Sequence, residues 1–328
     1  VDAKRDQRRI PCVDGATIRC AIMSAAVSLP KILLTGADGQ VGFELTRTLA
    51  PLGLIKTLVR ADLDLTDEVA LRAVLDAERP DIIVNPAAYT AVDKAESDVD
   101  AAYAVNARAP EIMAQWAQSH GAFMIHYSTD YVFEGLGEQP YCETDAVAPQ
   151  SVYGASKEKG EQAVRNMLAE HFIFRTSWVF GAYGANFLKV MLKLMQERDT
   201  LNVVADQMGA PTSAALLADV TALVVRDTWL KRQSGQTAAY GTYHLVAGGE
   251  TSWHGYAQYV GQLANEAGLP LKVQPDAIGA IPSSAYPTPA KRPLNSRLNT
   301  GKIQQTFGIR LPDWQTGVRA VFTLIQQG

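Results

Sequence analysis

The chain has 328 residues, 47% of them hydrophobic, and a formal net charge of −4. This composition is typical of a globular protein of about two domains. The acidic balance argues against a general nucleic-acid-binding protein, because neutralising phosphates requires a basic face. The apolar runs are far shorter than the roughly 20 residues that cross a bilayer, so no membrane association is expected.

Cysteine and histidine usage predicts neither a disulfide framework nor a zinc site. The three cysteines stand at positions 12, 20 and 142, with no Cys-x-x-Cys pair, and the five histidines show no close ligand spacing. This usage is typical of a reducing compartment, so we expect a cytoplasmic protein.

Residues 1–29 do not follow the pattern of the rest of the chain. They mix arginines with aspartates and contain no long apolar segment, so a secretory signal is not expected. We interpret them as an N-terminal extension, either disordered or foreign to the natural coding sequence, with Met23 near the natural start.

From residue 31 onwards, short apolar segments alternate with segments of helical periodicity. Strands are predicted at 31–35, 55–59, 81–84, 122–127 and 172–175, and helices at 40–52, 66–77, 97–119 and 151–168. This alternation predicts an α/β fold, a Rossmann-type doubly wound parallel sheet. The carboxyl ends of its strands share one edge, where ligands bind.

The regular alternation is lost after about residue 177, where proline, glycine and aromatic residues become frequent. Helices are still predicted at 187–198, 214–230, 253–267 and 314–326. We therefore expect a first domain over residues 30–177 and a smaller C-terminal lobe over 178–328. Some segments of this lobe can return to the sheet, and the lobe is expected to close over a substrate.

The first predicted strand runs into the segment Gly36-Ala-Asp-Gly39-Gln-Val-Gly42 at the start of a helix. Gly36 would allow the tight turn, Gly39 would let the backbone approach a pyrophosphate, and Gly42 would let the helix pack closely on the strand. A glycine triplet alone is a weak signal, but a strand before it and a helix after it are the expected context. Residues 30–177 are therefore predicted to bind NAD(P).

Arg60 ends the second predicted strand, where the ribose of the adenosine is read. An arginine there can bind a 2′-phosphate, so NADP(H) is favoured over NAD(H), although a solvated strand-end charge is the alternative. Asp64 and Leu65 are placed to contact the adenine, or simply to form a surface turn. Ala87, Ala88 and Tyr89 follow the third strand, where small side chains let a dinucleotide lie against the backbone.

Tyr153 and Lys157 lie four residues apart, on the same face of a predicted helix. A nearby ammonium should lower the pKa of the phenol, so Tyr153 could exchange a proton with a carbonyl oxygen near neutral pH. Thr129 follows the fourth strand, and its hydroxyl can hydrogen-bond the same carbonyl oxygen. These three residues are the predicted catalytic group.

The glycine segment, Tyr127-Ser-Thr-Asp-Tyr-Val-Phe133 and Tyr153-Gly-Ala-Ser-Lys157 together resemble the extended short-chain dehydrogenase/reductases. More narrowly, the chain resembles the dTDP-4-dehydrorhamnose reductases. Segments 91–97, 175–180, 206–212 and 287–297 match that narrower family, and the resemblance covers about residues 30–326.

The resemblance implies reduction of the C4 ketone of dTDP-4-dehydro-L-rhamnose to dTDP-L-rhamnose by NADPH or NADH, with Tyr153 as proton donor. It implies a triad of Thr129, Tyr153 and Lys157. The residues implied to line the cofactor are Gly39, Gln40, Val41, Asp64, Leu65, Ala87, Ala88, Tyr89, Tyr153 and Lys157. Those implied to hold the dTDP-sugar are Thr129, Asp130 and Trp178, with Arg292 and Asn295 on its nucleotide side. A core aromatic is the alternative for Trp178, and a role in loop structure is the alternative for Arg292 and Asn295.

The resemblance also brings Mg²⁺ and a homodimer into consideration, since some members of the family have both. Glu44 is the one candidate ligand, and a solvated charge on the outer face of the first helix explains it as well. The acidic cluster of Asp93, Glu96, Asp98 and Asp100 is better interpreted as the N-terminal turn of a helix than as a metal site.

Three alternative functions compete with the reductase. A sugar-nucleotide dehydratase needs an Asp-Glu pair after the threonine, but Tyr131 follows Asp130. A 4-epimerase holds NAD tightly, which favours an acid where Arg60 stands. The alternative from another class is a non-catalytic NADP-binding regulatory subunit of the methionine adenosyltransferase type, which would not need the intact set of Thr129, Tyr153 and Lys157.

Overall fold

The structure is a computed structural model that describes residues 29–327. The predictions made for residues 1–28, including two of the three cysteines, lie outside the described residues, and Cys142 carries a free thiol. Strands in the described part are β1 (Lys31–Leu34), β2 (Leu54–Thr57), β3 (Ile82–Asn85), β4 (Phe123–Thr129), β5 (His171–Thr176), β6 (Val179–Phe180), β7 (Asn202–Val204), β8 (Met208–Gly209), β9 (Thr212–Ser213), β10 (Gly241–His244), β11 (Thr251–Ser252) and β12 (Gly279–Ile281).

The α-helices lie between and after these strands. They are α1 (Gln40–Leu49), α2 (Glu68–Glu78), α3 (Val92–Ala95), α4 (Val99–Tyr103), α5 (Ala109–His120), α6 (Val152–Met167), α7 (Phe187–Glu197), α8 (Ala214–Gln233), α9 (Trp253–Glu266), α10 (Gly301–Phe307) and α11 (Trp314–Gln327). Side chains fix several helix starts, as local sequence suggests: Asp67 accepts a hydrogen bond from the Ala70 N–H at 2.9 Å, and Ser151 accepts one from the Gly154 N–H at 3.1 Å.

Six strands form one parallel sheet in the order β2-β1-β3-β4-β5-β10. Successive residues of β1 point to opposite faces, so Leu33 packs on one side and Ile32 and Leu34 on the other. Helices α1 and α8 cover one face, whereas α2 and α5 cover the other. The predicted doubly wound parallel sheet is therefore confirmed.

The C-terminal half divides between the sheet and a separate apolar cluster. Strand β10 extends the sheet beyond β5, and α8 packs against α1. Helices α7, α9 and α11 pack around a further cluster, which includes Phe180, Leu188, Val260 and Phe322. The short strands β7 and β12 pair with each other near this cluster. No helix in the described range 29–327 is both long enough and apolar enough to cross a membrane.

The helix predicted over 97–119 is not continuous. A short helix α3 precedes it, and a π-helical turn over Ala104–Arg108 separates α4 from α5. The buried Asn106 lies in this turn, where its side chain bonds to the backbone of Tyr89 and to the Ser156 hydroxyl. Apolar periodicity does not register such a turn, because the residues on both sides of it still face the core.

Candidate active site

A cleft of about 730 Å³ runs along the carboxyl edge of the sheet. The cleft lies beside β1. Strands β2 and β3 flank β1 on opposite sides, and both come after it in the chain. Open α/β sheets bind ligands where the strand order reverses in this way. Every residue predicted to bind the cofactor lines this cleft: Gly36, Gly39, Gln40, Val41, Gly42, Arg60, Asp64, Leu65, Ala87, Ala88, Tyr89, Tyr153 and Lys157. Thr129, Asp130 and Trp178 line it too.

The glycine end of the cleft fits a pyrophosphate. Gly39 precedes helix α1 as its N-cap and provides no side-chain cap, which leaves the first N–H groups of the helix available to an anion in the cleft. A Cβ added to Gly42 would lie 2.0 Å from the carbonyl oxygen of Gly36, so only glycine lets the helix start this close to the turn. Arg60 is exposed at the far end of the cleft, near β2.

Asp64 is held in a local turn. Its Oδ1 atom accepts hydrogen bonds from the backbone N–H and the hydroxyl of Thr66, both at 2.9 Å. These bonds keep the pKa of the Asp64 carboxyl below its ordinary value. The surface-turn interpretation therefore accounts for this carboxylate, while the residue still borders the cleft.

Thr129 and Tyr153 meet at the end of β4. The Thr129 hydroxyl donates to Asp130 Oδ1 at 3.0 Å, accepts from the backbone N–H of Tyr131 at 3.2 Å, and also lies within hydrogen-bonding reach of the Tyr153 phenol. Burial raises the pKa of Tyr153 to about 12, and the contact with Thr129 acts in the opposite direction. At neutral pH the phenol therefore carries its proton.

Lys157 is buried one helical turn beyond Tyr153. Its Nζ donates to the carbonyl oxygen of Tyr127 at 2.6 Å and lies 3.4 Å from His126 Nε2. Burial lowers the pKa of Lys157 to about 8, while Glu161 acts in the opposite direction. In this structure desolvation of the phenol is the largest influence on the pKa of Tyr153, and the Lys157 ammonium binds the backbone of β4.

Asp130 and Trp178 form the wall beyond the tyrosine. Burial raises the pKa of Asp130 to about 6, while the hydroxyls of Ser296 and Thr129 act to lower the pKa. Trp178 has a left-handed backbone with φ of 51°, and its ring stacks on Trp253 with 3.7 Å between centroids. A strained aromatic held by stacking at a strand end offers a rigid apolar face to the cleft.

Arg292 and Asn295 are not brought to this cleft. Arg292 pairs with Asp93 at 2.8 Å, which ties the proline-rich segment to α3. Asn295 is buried, and its amide donates to the carbonyl oxygen of Gln139 and accepts from Arg297, both at 2.8 Å. Its side chain therefore holds the loop together, and its neighbour Ser296 is the residue that reaches Asp130.

Sequence reasoning missed two hydroxyls in the cleft. Thr176 ends β5 as Thr129 ends β4, Ser177 comes directly after Thr176, and both line the cleft. Both hydroxyls are buried without a hydrogen-bond partner in the described part of the chain. The signal that could have found them is their position at a strand carboxyl end.

The described residues do not fit a metal held within one chain. In residues 29–327, no group of three or more His, Cys, Asp or Glu side chains is placed to hold a metal ion. Glu44, the candidate ligand, instead pairs with Arg47 at 3.3 Å across one turn of α1.

Comparison with known proteins agrees with this geometry. The family model described as RmlD substrate binding domain matches residues 30–327. The dTDP-4-dehydrorhamnose reductase of Escherichia coli K12 is 50% identical over 295 residues, which cover 88% of this chain and 95% of that protein. The crystal structure of a dTDP-4-dehydrorhamnose reductase from Clostridium acetobutylicum has a TM-score of 0.81 and 36% identity, covering 90% of this chain and 99% of that one.

The corresponding enzyme of Bacillus anthracis, solved in complex with NADP, also has a TM-score of 0.81, with 33% identity over 90% of this chain and 99% of that one. The resemblance drawn from the sequence motifs is therefore confirmed. Since both the family model and the relatives span nearly all the described residues, the chain belongs to the dTDP-4-dehydrorhamnose reductase family.

Proposed function

We propose that this chain reduces the C4 ketone of dTDP-4-dehydro-L-rhamnose to dTDP-L-rhamnose, using a nicotinamide cofactor. The observation that carries the proposal is the meeting of Thr129, Tyr153 and Lys157 in one buried corner of a cleft whose other end is the glycine turn. The relatives named for this reaction support the choice of substrate.

The bound cofactor would supply the hydride that reaches the carbonyl carbon. Tyr153 then donates its phenolic proton to the carbonyl oxygen, so that the ketone gains one hydride and one proton and becomes an alcohol. Thr129 orients the phenol and the carbonyl oxygen, while Lys157 would hold the ribose next to the nicotinamide. Trp178 and Asp130 are proposed to hold the sugar, and the free hydroxyls of Thr176 and Ser177 give further donors at the same edge.

NADPH is the proposed cofactor of choice. Arg60 lies exposed at the adenosine end of the cleft, where its guanidinium can pair with a 2′-phosphate. The relative from Bacillus anthracis was solved with NADP, which supports this preference. Arg292, once released from its ion pair with Asp93, is proposed to meet the charged nucleotide of the substrate.

The direct test is oxidation of NADPH by the purified protein with dTDP-4-dehydro-L-rhamnose generated in place by the preceding enzymes. Substrate-dependent oxidation that yields dTDP-L-rhamnose is expected, faster with NADPH than with NADH and unchanged by a chelator. Binding of NADPH without any turnover would contradict the reductase and favour the regulatory-subunit alternative. A homodimer in the cytoplasm belongs to the same proposal, and sedimentation of the purified protein checks the oligomeric state.

A further inference from the structure

Four buried polar side chains form a continuous line beneath the cleft. Thr35 Oγ1 donates to Asn85 Oδ1 at 2.6 Å, Asn85 Nδ2 lies 3.2 Å from His126 Nδ1, and His126 Nε2 lies 3.4 Å from Lys157 Nζ. Each of the four residues is at most 2% exposed. The line joins the residue before the glycine turn to the catalytic lysine, and it is not part of the predicted triad.

The sheet itself sets this alignment. Thr35 follows β1, Asn85 ends β3, and His126 lies on β4 directly opposite Asn85 in the parallel register. Lys157 reaches the line from α6 and is also fixed by the carbonyl oxygen of Tyr127. Three adjacent strands and one helix therefore hold the four side chains in fixed order.

The direction of each hydrogen bond is coupled to the next. With Asn85 Oδ1 accepting from Thr35, its amide nitrogen donates to His126 Nδ1. A neutral imidazole has one N–H and one lone pair, so the ring hydrogen must then be on Nε2. That hydrogen points at Lys157 Nζ, which can accept it only as an uncharged amine.

A charged Lys157 requires the opposite arrangement. Its ammonium has only hydrogens to offer, so His126 Nε2 must present the lone pair and Nδ1 must carry the hydrogen. Asn85 then accepts from Nδ1 through its oxygen and donates its amide hydrogen to the Thr35 hydroxyl. The two arrangements differ by one proton, which Lys157 releases to solvent.

We propose that His126, Asn85 and Thr35 are positioning residues for Lys157, and that their hydrogen bonds reverse direction when Lys157 gains or loses its proton. The lysine is thereby held at one place in both states, and His126 and Asn85 keep a hydrogen-bond partner on each side in both. The catalytic meaning of this device depends on the proposed function, whereas the reversal itself is a property of the folded chain.

The electrostatics of the pair agree with this assignment. Burial and the neighbouring Lys157 keep the pKa of His126 well below its ordinary value, so the ring stays neutral while the lysine titrates. The other titratable groups that act on the pair are His171 on β5 and Glu161 on α6. Since the pKa of Lys157 is lowered to about 8, the reversal is expected within an accessible range of pH.

The test is the ¹⁵N spectrum of the protein labelled at histidine, in which the two ring nitrogens report the tautomer. His126 is expected to remain neutral from pH 6 to 10 while its hydrogen moves from Nδ1 to Nε2 as the pH rises through the Lys157 pKa. His126→Gln identifies the signal, and His120, whose Nδ1 lies 2.8 Å from the Trp116 carbonyl oxygen, serves as an internal reference.

Lys157→Met should leave His126 in a single tautomer at every pH. A native spectrum with one tautomer throughout, a doubly protonated His126 at pH 6, or a reversal that persists in Lys157→Met would overturn the proposal. Because the spectra require no turnover, a failure here is distinct from failure of the reductase assay.

A second pair of variants tests the far end of the line. Thr35→Val keeps the shape but removes the hydroxyl, which donates to Asn85 in one arrangement and accepts from Asn85 in the other. Because the two lost hydrogen bonds differ in strength, the midpoint of the reversal should move by up to about one pH unit. Thr35→Ser should restore the native midpoint. If both variants kept the native midpoint, Thr35 would not belong to the positioning chain.

Discussion

At the scale of the residue, burial governs the chemistry of the site more than the nearest charge does. Tyr153 and Lys157 lie one turn apart on α6. Because both are buried, the phenol is harder to ionise and the ammonium is easier to deprotonate than in water. The raised pKa of Tyr153 suits a reduction, because the phenol keeps its proton at neutral pH until a carbonyl oxygen takes it.

Tyr153→Phe removes this donor without changing the shape of the cleft. Turnover should fall by about 10²- to 10⁴-fold, the usual loss for an acid/base group, while NADPH affinity stays nearly constant. Steady-state kinetics with cofactor titration measures both quantities. Tyr286→Phe, at an exposed tyrosine, is the matched control and should behave as the native chain. Full turnover in Tyr153→Phe would remove this residue from the mechanism.

Arg60 is expected to distinguish the two cofactors. A charge-assisted hydrogen bond contributes about 1.5–3 kcal/mol, so Arg60→Ala should weaken NADPH binding by about 10- to 100-fold and NADH binding far less. Fluorescence titration of each cofactor checks the ratio, with the exposed Arg310→Ala as a charge-matched control. An equal loss for both cofactors would show that Arg60 does not contact a 2′-phosphate.

At the scale of the element, α6 is placed by its contact with the π-helical turn. The backbone of Gly160 faces the Asn106 carbonyl oxygen, and Asn106 bonds Ser156 on the same helix. Ser156 in turn donates to the carbonyl oxygen of Tyr153 at 2.8 Å. The turn therefore determines the depth at which Tyr153 and Lys157 lie.

Gly160→Ala should displace α6. The added Cβ would lie 2.1 Å from the Asn106 carbonyl oxygen, closer than any real contact, so the helix must move. Overpacking of this kind costs about 1–3 kcal/mol, although alanine favours helix formation. The free energy of unfolding, measured in urea, and kcat should both fall. Lys159→Ala, on the exposed side of the same helix, should change neither. An unchanged kcat would mean that α6 tolerates the shift.

How much of the molecule the sequence predicts also depends on the element. The first five strands, the residues at their carboxyl ends and the Tyr-x3-Lys pattern of α6 follow from local periodicity and motif. The placement of Gly36, Thr129 and Tyr153 beside one cleft can therefore be predicted without a structure. The π-helical turn and the two-residue strands are not found, because tertiary contacts form them. Local sequence also does not reveal the role of Asn295, because its side chain donates to the carbonyl oxygen of Gln139, which lies 156 residues away in the chain.

At the scale of the whole molecule, buried titratable groups couple folding to pH. Desolvation keeps the pKa of His126 well below 6.5 and lowers that of His244 to about 3. Unfolding lets both rings take up protons, so their contribution to stability is complete above pH 6.5 and is lost as the pH falls. His171, whose pKa is also lowered, acts in the same direction.

Asp130 opposes the histidines over part of this range. Its pKa is raised from 3.8 to about 6, so the folded state binds its proton more tightly and gains stability as the pH falls from 6 to 4. Asp130 and one fully buried histidine each change the free energy of unfolding by about 1.4 kcal/mol per pH unit, with opposite sign, so that they offset each other over this range. The remaining histidines leave a net loss of stability towards acid pH.

The free energy of unfolding should therefore decrease from pH 7 to pH 5 in the native chain, and His244→Leu should make that decrease smaller. Leucine takes up no proton on unfolding, so the variant loses the contribution of one buried histidine, about 1.4 kcal/mol per pH unit below pH 6.5, while His126 and His171 still act against Asp130. Urea unfolding at several pH values measures the slope, and His120→Gln, at an exposed histidine, should leave it unchanged. A native slope retained in His244→Leu would mean that folding does not lower the pKa of this ring. The pH dependence would then have to come from other groups buried against the sheet.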